Sequence, residues 1–231
     1  MARSFGIDVI FEDNHLLVVC KAAGLVTQGA APGQTSIIDL ARQYLKQKYH
    51  KPGNVYLGIV SRLDAPATGV LVLARTSKAA SRLAEQFRTG RVAKTYWAAV
   101  QGHPEPASGE CVDWIRKDDR QHRMIVTASS DRSAQQARLT YRTLAVRPDV
   151  AVLEIDLKTG RKHQIRLQLA DRGHPILGDT KYGATRGFAA GIGLHSRRLV
   201  LEHPVRREPL TIQAPCPTSW RHLGIQELLH A

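Results

Sequence analysis

Residues 150–157 constrain this chain more than any other segment. Ala151, Leu153, Ile155 and Leu157 alternate there with Val152, Glu154, Asp156 and Lys158. A two-residue period sends successive side chains to opposite faces, so the segment is expected to be a strand with two unlike faces. Such a strand needs partners. Further strand-like runs are found at 92–100, 111–115, 123–127 and 137–144. Upstream, 7–11 and 15–20 flank Glu12-Asp13-Asn14, a hairpin signature, and 56–60 and 69–74 are also strand-like. Late strands are expected at 198–202 and 210–213.

Helices are fewer. After a polar loop at 28–34, Ser36 and Asp39 form a capping-box-like opening to a helix whose Ile37, Leu40, Ala41, Tyr44 and Leu45 share a face. Ser77 is expected to cap a second helix carrying Ala80, Leu83, Ala84 and Phe87, with Gly90 ending it. Residues 162–171 turn helical, with Ile165 and Leu169 four apart, and 220–229 form a possible terminal helix. No repeat, low-complexity tract or linker is visible. The class is therefore α+β, with a mixed, largely antiparallel β-sheet and flanking helices, and 231 residues suffice for one large domain or two small lobes sharing a core.

Charge narrows the partners. The chain has 33 Lys and Arg against 20 Asp and Glu, a formal net charge of +13. Such an excess favours a polyanion through counterion release, without separating RNA from DNA or anionic lipid, and it also suits plain solubility. Cys20, Cys111 and Cys216 lie far apart with no CxxC pair, which excludes a disulfide framework and suggests a reducing compartment. No two histidines stand three to five residues apart, so short zinc spacings are absent. No signal peptide or membrane span is expected, and the location is expected to be cytoplasmic.

Three segments carry possible chemistry. In Ser61-Arg62-Leu63-Asp64-Ala65-Pro66-Ala67-Thr68-Gly69 an acid sits in a loop between two apolar strands, a common mounting for catalytic groups and equally a place for a surface salt bridge. Residues 157–166 hold Lys158, Arg161, Lys162 and Arg166 at a strand-to-helix junction, suited to cradling phosphate or to a solvated face. Tyr96, in Lys94-Thr95-Tyr96-Trp97, is either a half-buried rim residue or an aromatic that stacks on a base and moves a proton.

Taken together, these segments resemble the RluA-type RNA pseudouridine synthases, within the RsuA/RluA superfamily. The family's catalytic loop reads His-Arg-Leu-Asp-x-x-Thr-Ser-Gly, and residues 61–69 are similar to it. Glu12-Asp13, Leu16–Val19 and Lys21-Ala22-Ala23-Gly24-Leu25 resemble the opening strands and their "KPAGL" turn. Lys94-Thr95-Tyr96 resembles the strand bearing the active-site tyrosine. Thr159-Gly160-Arg161 with His163-Gln164-Ile165-Arg166 resembles the "TGRxHQIR" block. Gly173-His174-Pro175-Ile176-Leu177-Gly178-Asp179, Tyr182-Gly183 and Leu194-His195 follow in family order, so the match spans about 11–215.

The resemblance implies an isomerase that converts a uridine in structured tRNA or rRNA to pseudouridine, without metal or cofactor. Asp64 is then the catalytic carboxylate. Tyr96 stacks on the uracil and helps move the C5 proton, and Arg166 keeps the carboxylate ionised against burial. Arg62 holds the position vacated by the flipped base, Ile165 packs beside it, and Arg161, His163 and Gln164 complete the substrate-binding set. A single catalytic domain over 1–231 is implied, as is a monomer that binds RNA, with no membrane and no obligate protein partner. The match begins near Phe11, so no S4-type RNA-binding domain is expected ahead of it. Arg116, Lys117, Arg120, Arg123, Arg132 and Arg138 are expected either to grip phosphates or to form a solvated hairpin. Three departures stand out: Ser61 for histidine, Ala67-Thr68 for Thr-Ser, and Ala22 for proline. The alternatives are a non-catalytic RNA-binding module that retains the fold, or a hydrolase using Asp64 with a second acid.

Overall fold

The computed structural model describes residues 6–223, which fall into two compact units. The first comprises residues up to Val92 together with Ser196–Pro215, and the second comprises Ala93–His195 with the segment from Cys216. The fold is α+β, with three α-helices among the described residues and mostly antiparallel strands. Among the described residues no helix is long and apolar enough to cross a membrane.

In the first unit, β1 (Asp8–Glu12) and β2 (Leu16–Lys21) form the expected hairpin. Asp13 turns it by accepting from the backbone N–H of His15 and of Leu16, each at 2.8 Å. β2 pairs antiparallel with β4 (Thr68–Ala74), from Leu16 opposite Ala74 to Lys21 opposite Gly69. The short β3 (Gly58–Ile59) also pairs with β4, and β10 (Leu194–Glu202) pairs with β11 (Pro209–Gln213).

β2 and β4 read as unbroken apolar runs because both of their faces are covered. Leu17, Val19, Leu71 and Leu73 pack on α1 (Ile37–Lys48) through Ile37, Ile38, Ala41, Tyr44 and Leu45. Leu16, Val18, Val70 and Val72 pack on the other side with Ala79 and Leu83 of α2 (Ser77–Arg88) and with Leu199, Leu201 and Ile212. The capping box of Ser36 and Asp39 forms as expected. α2 is capped by Thr76, whose Oγ1 accepts from Ala79 N at 3.2 Å, one residue before the expected Ser77.

The second unit contains β5 (Ala93–Gln101), β6 (Ser108–Asp118), β7 (Arg123–Thr127), β8 (Gln135–Arg147) and β9 (Val150–Leu157), in the order β5-β9-β8-β6-β7, all antiparallel. β9 has the two unlike faces its period demands. Val150 and Val152 join Trp97, Ala99, Leu177 and Trp220 in one core, while Glu154 and Asp156 leave it on the same side. α3 (Gln164–Asp171) follows β9 after a turn, starting two residues later than its pattern suggests. At the C-terminus, Thr218–Leu223 form a 3₁₀ turn, and the rest of the expected helix, 224–229, lies outside the described residues.

Gly69 shows how tightly β4 starts. Its φ is +114°, and a Cβ there would stand 2.2 Å from the carbonyl oxygen of Ser196. A Gly69→Ala substitution therefore needs both a strained backbone and a displaced neighbour, which together cost on the order of 2 kcal/mol or more. Denaturant unfolding of Gly69→Ala is expected to show a clearly lower midpoint than the parent, whereas an unchanged midpoint contradicts this packing.

Candidate active site

The Arg62–Asp64 loop runs from β3 to β4 in the first unit, and long-range hydrogen bonds fasten it. The hydroxyl of Thr27 donates to Leu63 O at 3.2 Å and accepts from Leu63 N at 3.4 Å. Ala67 N donates to Asp64 O at 3.1 Å, closing a turn around Asp64 itself. Asp64 is half-buried and Arg62 is exposed, so the loop presents both side chains at the surface of a rigid frame.

Lys21 supplies the strongest fastening. It is completely buried, at the end of β2. Its ammonium donates to Ala22 O at 2.9 Å, Leu25 O at 2.8 Å and Ala65 O at 2.9 Å. Three N–H groups meet three carbonyls, so the cation is fully hydrogen-bonded without a direct counterion. Gly24 N also donates to Ala65 O, at 2.9 Å, which ties the turn after β2 to the residue following Asp64. Burial pushes the Lys21 pKa down to about 8, against the opposing attraction of Asp64. The segment Lys21–Leu25 was recognised in the sequence as a family block, but the carbonyls that Lys21 binds were not legible there. The available clue was a lysine ending an otherwise apolar strand.

The second unit holds Tyr96, Arg161, His163, Gln164, Ile165 and Arg166. Tyr96 lies midway along β5 opposite Ile155, which in turn lies opposite Tyr141, so the three share one face. Ile165 and Arg166 are buried at the start of α3. Arg166 makes a fork-to-fork pair with Asp179, from Nε to Oδ2 at 2.6 Å and from Nη2 to Oδ1 at 2.8 Å. Its guanidinium carbon also lies 5.1 Å from the centre of the Tyr182 ring. The Tyr182 hydroxyl accepts from Met124 N at 3.1 Å and meets His163 Nδ1 at 2.8 Å. Asp179 and Tyr182 thus fix the arginine's orientation, a role that spacing alone did not reveal.

Gln164 has a structural role. Its Oε1 accepts from Thr159 Oγ1 at 2.6 Å and Arg161 N at 3.1 Å, and its Nε2 donates to Arg138 O and Gln168 Oε1, each at 3.1 Å. With all four bonding positions filled inside the protein, it shapes the turn before α3. Arg161 is exposed, with Nε donating to Gln136 O at 3.2 Å, and His163 is half-buried. In the basic stretch, Arg116 faces Asp131 at 2.9 Å, Lys117 pairs with Asp119 and Arg138 with Glu110, so part of its charge is already matched.

Lys21 links the loop to pH. Deprotonation in the folded protein near pH 8 removes one donor and the charge beside Asp64. Because its folded pKa lies below the ordinary lysine value of 10.5, the unfolded chain binds more protons between about pH 8 and 10.5. The contribution of this group to stability therefore rises with pH across that window. Turnover is expected to fall through about pH 8 with no matching fall in melting temperature. Flat turnover from pH 7 to 9.5, or a fall that tracks unfolding, would contradict a loop held by the Lys21 cation.

Comparison with known proteins adds to this geometry. A family profile described as RNA pseudouridylate synthase matches residues 15–171. The Ribosomal large subunit pseudouridine synthase D of Zymomonas mobilis is 30% identical over 222 residues, covering 91% of this chain and 69% of that protein. The tRNA pseudouridine synthase C of Vibrio cholerae is 31% identical, covering 96% of this chain and 98% of that one. Among solved structures, Human RNA Pseudouridylate Synthase Domain Containing 4 superposes with a TM-score of 0.79 at 28% identity, over 94% of this chain and 93% of that one.

Proposed function

We propose that Asp64 is the catalytic carboxylate of this chain, which belongs to the RluA-type family of RNA pseudouridine synthases. The protein is an isomerase that acts on RNA. The relatives named for transfer RNA and for large-subunit ribosomal RNA bound the proposed substrate to a uridine in one of those two classes. The observation that carries the assignment of Asp64 is the loop around it, which matches the family's Arg-Leu-Asp pattern and is clamped on both sides by Lys21 and Thr27.

In the proposed reaction, the N1–C1′ bond of the target uridine breaks and the uracil turns. A bond then forms from C5 to C1′, the proton on C5 leaves and N1 gains one. The product has the composition of the substrate, so no redox partner or hydrolytic water is consumed. Asp64 acts as an ionised nucleophile or base. Tyr96 stacks on the uracil and assists proton transfer from C5, supported by its half-exposed place on β5. Arg166 is the family's catalytic arginine, with Asp179 and Tyr182 orienting it. Arg62 occupies the position the base leaves, which suits its exposure beside Asp64, and unstacking the base costs a few kcal/mol. Ile165, Arg161 and His163 line the substrate in this assignment, and Gln164 holds their turn in shape.

Two substitutions test the roles separately. Asp64→Asn keeps the size of the side chain and removes its charge, and is expected to lower pseudouridine formation by about a thousandfold or more (~4 kcal/mol of barrier) while melting normally. Tyr96→Phe keeps the ring and loses the hydroxyl, and is expected to retain RNA affinity while slowing turnover by about 10²-fold. Full activity in Asp64→Asn would remove the residue from the chemistry, and full activity in Tyr96→Phe would leave the ring with stacking alone.

A further inference from the structure

We propose that Lys94 is the buried anchor of a phosphate-binding subsite formed with the Thr159-Gly160-Arg161 turn and the start of α3, and that its ligand is a backbone phosphate of the substrate RNA. The proposal rests on the reading of this protein as an RNA-modifying enzyme and adds a residue which that reading does not use.

Lys94 is 9% exposed, yet its ammonium makes no hydrogen bond or ion pair among the described residues. Buried charges are ordinarily paired, because the desolvation of an isolated ammonium goes uncompensated. Lys21 follows that rule with three carbonyls, whereas the largely buried Lys94 keeps only solvent contact at its ammonium. Burial pushes the Lys94 pKa down, Asp156 opposes this through space, and Arg161 adds to it. Asp156 itself pairs with Lys158, so it is not the missing partner.

The ammonium points at the turn. A Cβ built on Gly160 would lie 3.6 Å from Lys94 Nζ, in ordinary contact, so the ammonium lies directly against this turn. The turn leads into α3, whose N-cap residue His163 is left-handed (φ 52°) and gives the helix no side-chain cap. A helix start without a side-chain cap favours a nearby anion, and here it borders an ammonium with no hydrogen-bond or ion-pair partner among the described residues. Arg161 and Lys162 stand exposed beside it as outer contacts. Lys94 also shares a strand face with Tyr96, two residues along β5, so a nucleotide whose base lies at Tyr96 brings its phosphates within reach of this turn.

The experiment is equilibrium binding of fluorescently labelled bulk transfer RNA to the full chain across a salt series, with melting curves and pseudouridine kinetics alongside. Lys94→Met is expected to weaken binding about tenfold, to lower the slope of log affinity against log salt by about 1, and to carry its kinetic loss in KM rather than kcat. Its melting temperature is expected to hold or rise, since a desolvated cation is removed. Gly160→Ala places a methyl at ordinary contact distance over Nζ, and is expected to weaken binding about threefold in an intact fold. If the parent protein shows no salt-dependent RNA binding, the RNA reading fails and the subsite fails with it. If the parent binds and modifies RNA while both variants keep its affinity and salt slope, the subsite alone is overturned. A Lys94→Met protein that melts well below the parent assigns the lysine to the fold instead.

Discussion

The buried ammonium of Lys21 is the contact on which the Asp64 loop depends. A lysine is rarely enclosed completely, and this one is tolerated because each of its three protons meets a carbonyl. Two of those carbonyls lie in the turn after β2 and the third belongs to Ala65, the neighbour of Asp64. The loop is therefore tied to a strand buried on both faces, and its position is inherited from the doubly covered core of the first unit. Thr27 and the close approach of Gly69 to Ser196 complete the frame. The same constraint gives the departures from the family pattern a physical measure. Ser61, Ala67 and Thr68 change the loop's side chains, while the bonds to Leu63 and Ala65 use its backbone.

The second unit follows a different logic, in which charge is held by charge. Arg166 and Asp179 are both buried and meet through two parallel hydrogen bonds, the geometry that fixes a guanidinium in plane as well as in place. Tyr182 lies against that plane and ties it through Met124 N to β7 and through His163 to the turn before α3. Gln164 locks the same turn from inside. The segment that the sequence marks simply as basic is, in three dimensions, a rigid turn with exposed cations outside and a polar scaffold beneath.

Local features were the legible ones. The Ser36–Asp39 capping box, the Asp13 hairpin and the two-faced period of β9 each depend on residues within a few positions, and each forms as expected. The start of α2 moved by one residue because Thr76 and Ser77 are both competent caps, and only the helix axis selects between them. α3 begins at Gln164 because His163 adopts a left-handed conformation that residue pattern does not signal. β8 outruns its apolar stretch because β6 and β9 pair with it on both sides. Among the site residues, Asp64, Tyr96 and Arg166 could be named from motif order, but their supports could not. Lys21 reaches Ala65 across 44 positions and Arg166 reaches Asp179 across 13, and no period in a sequence encodes such pairings.

The assignment of Asp64 is tested most directly by carbodiimide mapping of pseudouridine in total RNA from cells lacking the gene. Those cells are complemented with either the wild-type protein or Asp64→Asn. The account predicts at least one defined uridine in transfer or ribosomal RNA that loses its modification with the gene, regains it with the wild-type protein and stays unmodified with the variant. Modification restored equally by Asp64→Asn would contradict it.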